Sequence, residues 1–453
     1  MRDCRLMLLY FHIKVLNEKN RKKPFPAFPS FTEQDFCVGG MPDYDIITLP
    51  NGIRILHKQV SHTKVVHCGF ILDIGSRDEK PEQMGIAHFW EHMAFKGTRK
   101  RKSYHILNRL DSVGGELNAY TTKEKICFFA SVLDQHFDNA VELLSDITFH
   151  SVFPEKQIEK ERGVILEEMS MYYDAPEDAI QDEFDAVVFG NHPLGRNILG
   201  TSDTIKRLNR SDFHHFVKEN MNTGRLIFSC VGNIPLRKVK KLAEKYFGDV
   251  EPRLNRRERQ LFNTSMYRPE LQTVQRSLTQ SQCAIGRSTY SSKDDRYLPF
   301  FLLANLLGGP GMNSRLNMSL REKYGFVYAI DAGYQAYTDT GLFAIYFGTE
   351  PSQMERSIKL VLKELKKLQD QPLGTLQLHK AKMQLMGQLA MGSENNQNLM
   401  LGMARSLLDL GEVESLESVF ESIKKITAYD LQEIARDMFR EEELSILRYV
   451  PQE

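Results

Sequence analysis

The chain has no excess of either charge: 59 Lys and Arg residues balance 59 Asp and Glu over 453 positions. A zero net charge leaves no electrostatic footprint for nucleic acid or for an anionic membrane surface, so neither is expected as a partner. Paired cysteines are also lacking. Cys4, Cys37, Cys68, Cys127, Cys230 and Cys283 are scattered without a CxxC pair. That spacing excludes a disulfide framework and fits reduced thiols in a cytoplasmic setting. Cys68 and Cys127 lie in apolar runs and are expected as small core residues. Long apolar runs are missing too: nothing approaches the roughly 20 residues that cross a bilayer. At the N-terminus, LMLLYF is short, His12 and Lys14 follow at once, and no small-residue cleavage site appears, so a secretory signal is not expected. Residues 15–40 are polar and without periodicity. They read as a disordered extension, or as sequence ahead of a true start at Met41.

What is present describes a globular protein. Apolar residues make up 42%, and the length exceeds one ordinary core, so two or three domains are expected. YDIITLPNGIRILHK reads as a hairpin around Pro-Asn-Gly, and KVVHCGFILDIGS as a buried strand. A helical pattern runs from about Glu82 to Lys96. SYHILNRLDSVGG is a second helix, stopped by Gly114 and Gly115. ELNAYTTKEKICFFASVL holds strand-like pieces, HFDNAVELLSDITF is an amphipathic helix, and Pro154 opens the helix EKQIEKERGVILEEMSMYY.

The sequence also repeats. ICFFASVLDQHFDNAVELL, from Ile126, is similar to GLFAIYFGTEPSQMERSIKLVL, from Gly341, an offset of 215 residues. SDFHHFVKENMNTGRLIFSCV, from Ser211, is similar to YDLQEIARDMFREEELSILRYV, from Tyr429, an offset of 218 residues. Two pairs agreeing in order and offset predict a duplicated domain. The charged stretch 248–270 lies between the copies and reads as a linker. The expected organisation is an extension over 1–41, a first domain over 42–247, the linker, and a second domain over 271–453. The fold class is α+β, as two tandem duplicated sandwich domains.

The chemistry concentrates in AHFWEHMAFKGT. On a helix His88 and His92 are one turn apart and project from one face, with Glu91 beside them. Two neutral imidazoles are zinc ligands, a catalytic zinc needs a third, and Glu91 is placed to take a proton from water. This is HxxEH, the reverse of HExxH. Two solvated or core-satisfied histidines are the alternative. A third ligand is offered by ERGVILEEMS, with Glu161, Glu167 and Glu168. Glu161 and Glu168 are two turns apart and share a face, whereas Glu167 is rotated about 100° away. Val164, Ile165 and Leu166 argue for a partly buried helix, where unpaired carboxylates are costly and a cation resolves the cost. A glutamate-rich surface helix is the bland alternative. In LLGGPGMNSRLNMSLREKYGFVYAI, Arg321 and Tyr328 stand seven apart. In isolation they read as a surface arginine and a core tyrosine. Glycines 308, 309 and 311 match no phosphate-binding signature.

Taken in order, GSRDE, GIAHFWEHMAFKGT, GGELNAYTT and ERGVILEEMS resemble the pitrilysin/insulinase metallopeptidases, the inverzincins, a group that includes mitochondrial processing peptidases. The likeness runs from about Tyr44 to the C-terminus. It implies that His88, His92 and Glu168 bind zinc, one per subunit, that Glu91 is the general base, and that Glu161 supports the site. It further implies that Arg321 and Tyr328 hold the substrate and steady the reacting carbonyl, and that Asn118 and Ala119 pair with a peptide as an added strand. Trp90 stands where relatives often carry a smaller residue. His192, in NHPLGRNILGT, is expected to be structural rather than a ligand. Family members are clamshells of four such domains, so a chain supplying two implies a dimer. A homodimer is expected, with a heterodimer alongside a separate related subunit as the alternative. The implied activity is a zinc endopeptidase acting on peptides or unfolded segments. The rival from another class is a non-catalytic scaffold.

Overall fold

The computed structural model describes residues 43–254 and 258–452. The expected extension over 1–41, with Cys4, Cys37 and Met41, lies outside the described residues. The first hairpin forms as the sequence predicts. Strands β1 (Asp45–Thr48) and β2 (Arg54–Gln59) pair antiparallel from Asp45↔His57 to Thr48↔Arg54. In the turn, Gly52 takes φ +91° and the Asn51 side chain accepts from Ile53 N at 3.1 Å. With β3 (Val65–Leu72), β4 (Glu116–Thr121), β5 (Ile126–Leu133) and β6 (Leu226–Gly232), they make a six-stranded sheet in the order β1-β2-β6-β3-β5-β4. Among the described residues β4 pairs only with β5, so its outer edge is open.

A second sheet contains β7 (Leu271–Arg276), β8 (Ser281–Thr289), β9 (Val327–Ala336), β10 (Gly341–Thr349) and β11 (Ser445–Pro451), in the order β7-β11-β8-β10-β9. Apart from β1, the two orders are the same. The matching pairs agree in sense as well: β2 and β6 are parallel, as are β7 and β11, and the other pairs are antiparallel. The fold is a duplicated α+β sandwich.

The first half carries helices α1 (Ile86–Ala94), α2 (Ser103–Asp111), α3 (Phe137–Phe149), α4 (Glu155–Tyr173), α5 (Pro176–Phe189), α6 (Ser202–Arg207), α7 (Arg210–Asn220) and α8 (Leu236–Phe247). The second half carries α9 (Tyr297–Gly308), α10 (Met354–Asp370), α11 (Thr375–Ser393), α12 (Asn396–Asp409), α13 (Leu416–Lys425) and α14 (Ala428–Met438). The helical pattern expected over 82–96 resolves into a short 3-10 turn at Pro81–Gln83 and α1, because Gly85 at φ +91° breaks the ladder between them.

Strand periodicity sorts the core. Val66, Cys68, Phe70 and Leu72 of β3, and Ile126, Phe128, Ala130 and Val132 of β5, pack under the first half's own helices. The alternate residues Ile71, Cys127 and Phe129 face the other way, against Met400, Leu401, Met403, Ala404, Leu407 and Leu408 of α12, a second-half helix. The second sheet mirrors this. Phe343, Ile345 and Phe347 of β10 face their own helices, while Leu342 and Ala344 meet Ile180, Phe184 and Val187 of first-half α5. Each half covers the back of the other's sheet with one helix. Burial on both faces is why these strands read as continuous apolar runs. Cys68, Cys127, Cys230 and Cys283 are all buried, and none of them is in a disulfide.

The connecting stretch is anchored rather than solvated. Phe262 and Tyr267 are buried in the cluster beside α5, and the Arg259 guanidinium meets Asp78 and Asp73 at 2.8 and 2.9 Å. Among the described residues no helix is long and apolar enough to cross a membrane.

Candidate active site

Helix α1 lies between the inner face of the first sheet and α4. Ile86, Ala87, Phe89, Trp90, Met93 and Ala94 are buried. Trp90, 1% exposed, meets Phe128 and Phe216 edge-on. With that side committed to the core, the histidine face is turned to α4. His88 and His92 stack edge to face with ring centroids 4.7 Å apart. Across from them, Glu168 Oε2 lies 3.7 Å from His88 Nε2 and 3.6 Å from His92 Nε2.

These separations are too long for hydrogen bonds. They suit the edges of a polyhedron around a cation, since ligand bonds of about 2.0–2.2 Å in tetrahedral geometry put neighbouring ligand atoms roughly 3.3–3.5 Å apart. His88, His92 and Glu168 offer ligand atoms that all lie within 4.8 Å of one another. The second carboxylate oxygen, Glu168 Oε1, is buried without a hydrogen-bond partner, as is His88 Nδ1. A buried carboxylate facing two imidazoles in this way fits a borderline-soft divalent metal, and a two-nitrogen, one-oxygen donor set favours zinc.

The electrostatics favour a metal over protons. Burial, and then the neighbouring His92, push the His88 imidazole down to about 3, so at neutral pH its lone pair is free to coordinate. Burial raises the Glu168 carboxyl against the pull of His92. Burial also pushes Glu91 up to about 7. Glu168 adds to that shift and a hydrogen bond opposes it: Thr121 Oγ1 donates to Glu91 Oε2 at 2.7 Å. Glu91 is thus tuned near the operating range of a general base.

Glu161 sits one rank behind. Its carboxylate receives Lys96 Nζ at 2.8 Å and lies 3.2 Å from His92 Nδ1, which orients the His92 ring. The predicted sharing of a face by Glu161 and Glu168 therefore appears as contact with opposite nitrogens of one imidazole. Glu167 is exposed. Of the three apolar residues on this helix, Ile165 is buried, whereas Val164 is 45% exposed. The helix is thus partly buried, as expected: α4 contacts the core along one narrow stripe, and Val164 falls outside it.

Asn118 and Ala119 lie on the open-edged strand β4, opposite Phe129 and Phe128 of β5. The same strand ends at Thr121, so the residue that holds Glu91 belongs to the strand with the free edge. Arg321 and Tyr328 come together, with the guanidinium 5.7 Å from the ring centroid. The expectation of a core tyrosine in isolation is overturned: Tyr328 is 83% exposed. Among the described residues neither hydrogen-bonds nor ion-pairs with the histidine cluster. His192 is structural. Its Nε2 meets the Gln260 carbonyl at 3.0 Å, its Nδ1 accepts from Leu194 N at 3.2 Å, and it is 3% exposed. Thr121 and Lys96 escaped the sequence reading. The clue to Thr121 was its place at the end of GGELNAYTT; for Lys96 there was none beyond its position four residues after His92.

The chain is similar to known proteins along most of its length. Residues 54–202 match the family described as Insulinase (Peptidase family M16), and residues 207–385 match the Peptidase M16 inactive domain. An uncharacterized zinc protease of Bacillus subtilis (strain 168) is 32% identical over 399 residues, covering 87% of this chain and 95% of the relative. An uncharacterized zinc protease of Rickettsia bellii is 33% identical over 398 residues, covering 88% and 95%. Among solved structures, a protease from Helicobacter pylori aligns with a TM-score of 0.83 at 21% identity, over 91% of this chain and all of that one. A peptidase M16 inactive domain from Pseudomonas fluorescens has the same TM-score at 16% identity, over 91% of this chain and 99% of that one.

Proposed function

The chain belongs to the insulinase family of M16 peptidases, and from that premise we propose that it is a zinc-dependent endopeptidase cleaving peptides or unfolded polypeptide segments. The observation that carries this is the convergence of His88, His92 and Glu168 on one point, beside a Glu91 held by the open-edged strand.

In this reading His88, His92 and Glu168 hold the metal. When bound, zinc supplies Lewis acidity, lowering the pKa of a water towards ~7 and polarising the scissile carbonyl. Glu91 takes the proton of the attacking water and returns it to the leaving amine. Thr121 keeps the Glu91 carboxylate aimed. Glu161, neutralised by Lys96, fixes the His92 ring. The backbone of Asn118 and Ala119 pairs with an extended substrate, giving affinity with little dependence on its side chains.

Tyr328 donates a hydrogen bond to the developing oxyanion, and Arg321 grips a substrate carbonyl. Because their side chains meet each other and not the cluster, we assign them to the site of a second copy. The working form is then a homodimer in which each site combines the first half of one subunit with the second half of the other. A subunit that requires a distinct related partner is the second reading, favoured by the same exposed Arg321–Tyr328 pair.

The test is cleavage of a mixed peptide library, read by mass spectrometry, with Glu91→Gln in parallel. Cuts made by the wild type and missing from the variant support the peptidase. Zinc binding without cuts points to the partner-dependent reading. Neither zinc nor cuts points to a scaffold. A gel-filtration mass equal to one chain counts against the homodimer.

A further inference from the structure

The segment Arg77-Asp78-Glu79, in the GSRDE motif before α1, contributes nothing to the site described so far, yet its three side chains are committed to three different bodies. Arg77, 4% exposed, clamps Asp339 of the second half: Nη1 donates to Oδ1 at 2.6 Å and Nη2 to Oδ2 at 2.5 Å. The same guanidinium reaches Glu124 Oε1 at 2.6 Å and the Gln260 carbonyl at 2.7 Å. Asp78 accepts from Arg259 of the connecting stretch, from Nε at 2.8 Å and Nη2 at 2.9 Å. Glu79, 4% exposed, turns to the metal-binding helix: Oε2 accepts from Gly85 N at 2.8 Å and Oε1 from Ala87 N at 2.9 Å.

Those two N–H groups are among the orphan donors at the start of α1. A helix ordinarily satisfies them with the side chain of the residue before its first turn. Here that residue is Gly85, at φ +91°, where an added Cβ would lie 2.5 Å from the Leu199 carbonyl oxygen. No side chain fits there, so Glu79 supplies the cap from six residues upstream and places its carboxyl oxygens on the orphan donors at the helix start. Ala87 adjoins His88. The cap therefore sets the position of the turn from which His88, Glu91 and His92 project.

The second half has another hold on the site. Thr338 N and Oγ1 donate to Glu124 at 3.1 and 2.7 Å. Glu124 lies in the turn between β4 and β5, and β4 ends at the Thr121 that holds Glu91. One turn of the second half, Thr338–Asp339, thus grips both the segment that caps the metal helix and the hairpin that aims the base.

We propose that Glu79 is a positioning residue of the active site, and that the Arg77–Asp339 clamp makes the seating of the second half part of that positioning. The proposal rests on the zinc-peptidase reading. It makes the second half a structural determinant of metal geometry in its own chain, beyond any residue it contributes to catalysis.

The test uses the full-length protein loaded with cobalt(II), whose visible absorption reports ligand geometry, with metal affinity measured by chelator competition. Glu79→Gln keeps the size and one acceptor but cannot accept from both N–H groups. Its metal affinity is expected to fall ~10–100-fold, with a changed cobalt spectrum. On a cleaved peptide, kcat should fall while KM stays within about twofold. Asp339→Asn should move the same readings in the same direction by less. Leu303→Ala, a core truncation in α9, serves as the control for lost stability alone and should leave the cobalt spectrum unchanged.

A Glu79→Gln protein that melts earlier but keeps affinity and spectrum overturns the positioning role. An Asp339→Asn protein that keeps both overturns the link to the second half. If Glu79→Gln fails to fold, Asp339→Asn decides. If the wild type binds metal and cleaves nothing, the function passes to the partner-dependent reading, while affinity and spectrum still judge Glu79.

Discussion

Helices α1 and α9 hold the same place in the two halves. Each follows the central strand of its sheet, β3 or β8, and each packs on that sheet's inner face. Their sequences differ in kind: IAHFWEHMA against YLPFFLLANLLG. In α9, Leu298, Phe300, Phe301, Leu302, Leu303, Ala304 and Leu307 are all buried, so the helix is apolar all round and walled in by its neighbours. Helix α1 keeps one face for two imidazoles and a carboxylate. Among the described residues, the only cluster able to hold a metal is on the α1 side. One scaffold therefore serves as a core on one side and as a reactive site on the other. The fold fixes where a site can be, and a few side chains decide whether one exists.

The widest gap between the halves should appear on loss of the metal. Replacing His88 or His92 with Ala, or stripping zinc with a chelator, should abolish peptide cleavage and lower the bound zinc, as metal analysis can show. No substitution in α9 should do this while the protein stays folded. Glu91→Gln separates base from metal. It should retain zinc and lose ~10²–10⁴-fold in kcat, the usual worth of a positioned general base. A fully active variant would sink the assignment.

Stability should invert the ranking. Leu303→Ala in α9 should cost about 2–5 kcal/mol in urea unfolding. His88→Leu in α1 should leave the metal-free protein no less stable, because it removes a buried imidazole nitrogen without a partner.

The pH dependence sharpens the contrast further. Glu91 has its folded-state pKa raised from 4.5 to about 7. Its contribution to stability is therefore full below about 4.5 and lost as pH rises through 7. Between those limits the metal-free wild type should lose up to ~3 kcal/mol relative to Glu91→Gln. The smallest effect belongs to Thr121→Val. It should lower kcat roughly tenfold with KM nearly unchanged, and Thr121→Ser should restore it.

The site was more legible than the fold around it. HxxEH fixes a helical face by spacing alone, and the seven-residue interval from Glu161 to Glu168 fixes another, but the choice of Glu168 as third ligand came from the family resemblance and not from 3.6 residues per turn. The duplication was legible where strand, turn and helix recur together, at β5–α3 and β10–α10, and at α7–β6 and α14–β11. The equivalence of α1 and α9 was not, because they share a position and no residue pattern. Nor could the sequence say which sheet α5 and α12 cover. NQNLMLGMARSLLD declares an amphipathic helix but not its partner, and contacts between residues so far apart leave no trace in local periodicity. The stretch 248–270 looked like a tether because its anchors, Arg259, Phe262 and Tyr267, are single residues in a polar run. Thr121 was hidden for a related reason, since one hydroxyl at a strand end has no pattern to betray it.

The exchange of α5 and α12 also bears on how such a chain could arise. Two half-length proteins that each lend a helix to the other would form a closed, reciprocal pair. Joined end to end through residues 248–270, they would have the topology seen here. The halves are thus linked twice, by the backbone and by interlocking, and the second linkage does not need the first. Cutting the chain between residues 254 and 258 should leave two fragments that elute together. Either fragment made alone would present one bare apolar sheet face, the kind of surface that draws chains into aggregates.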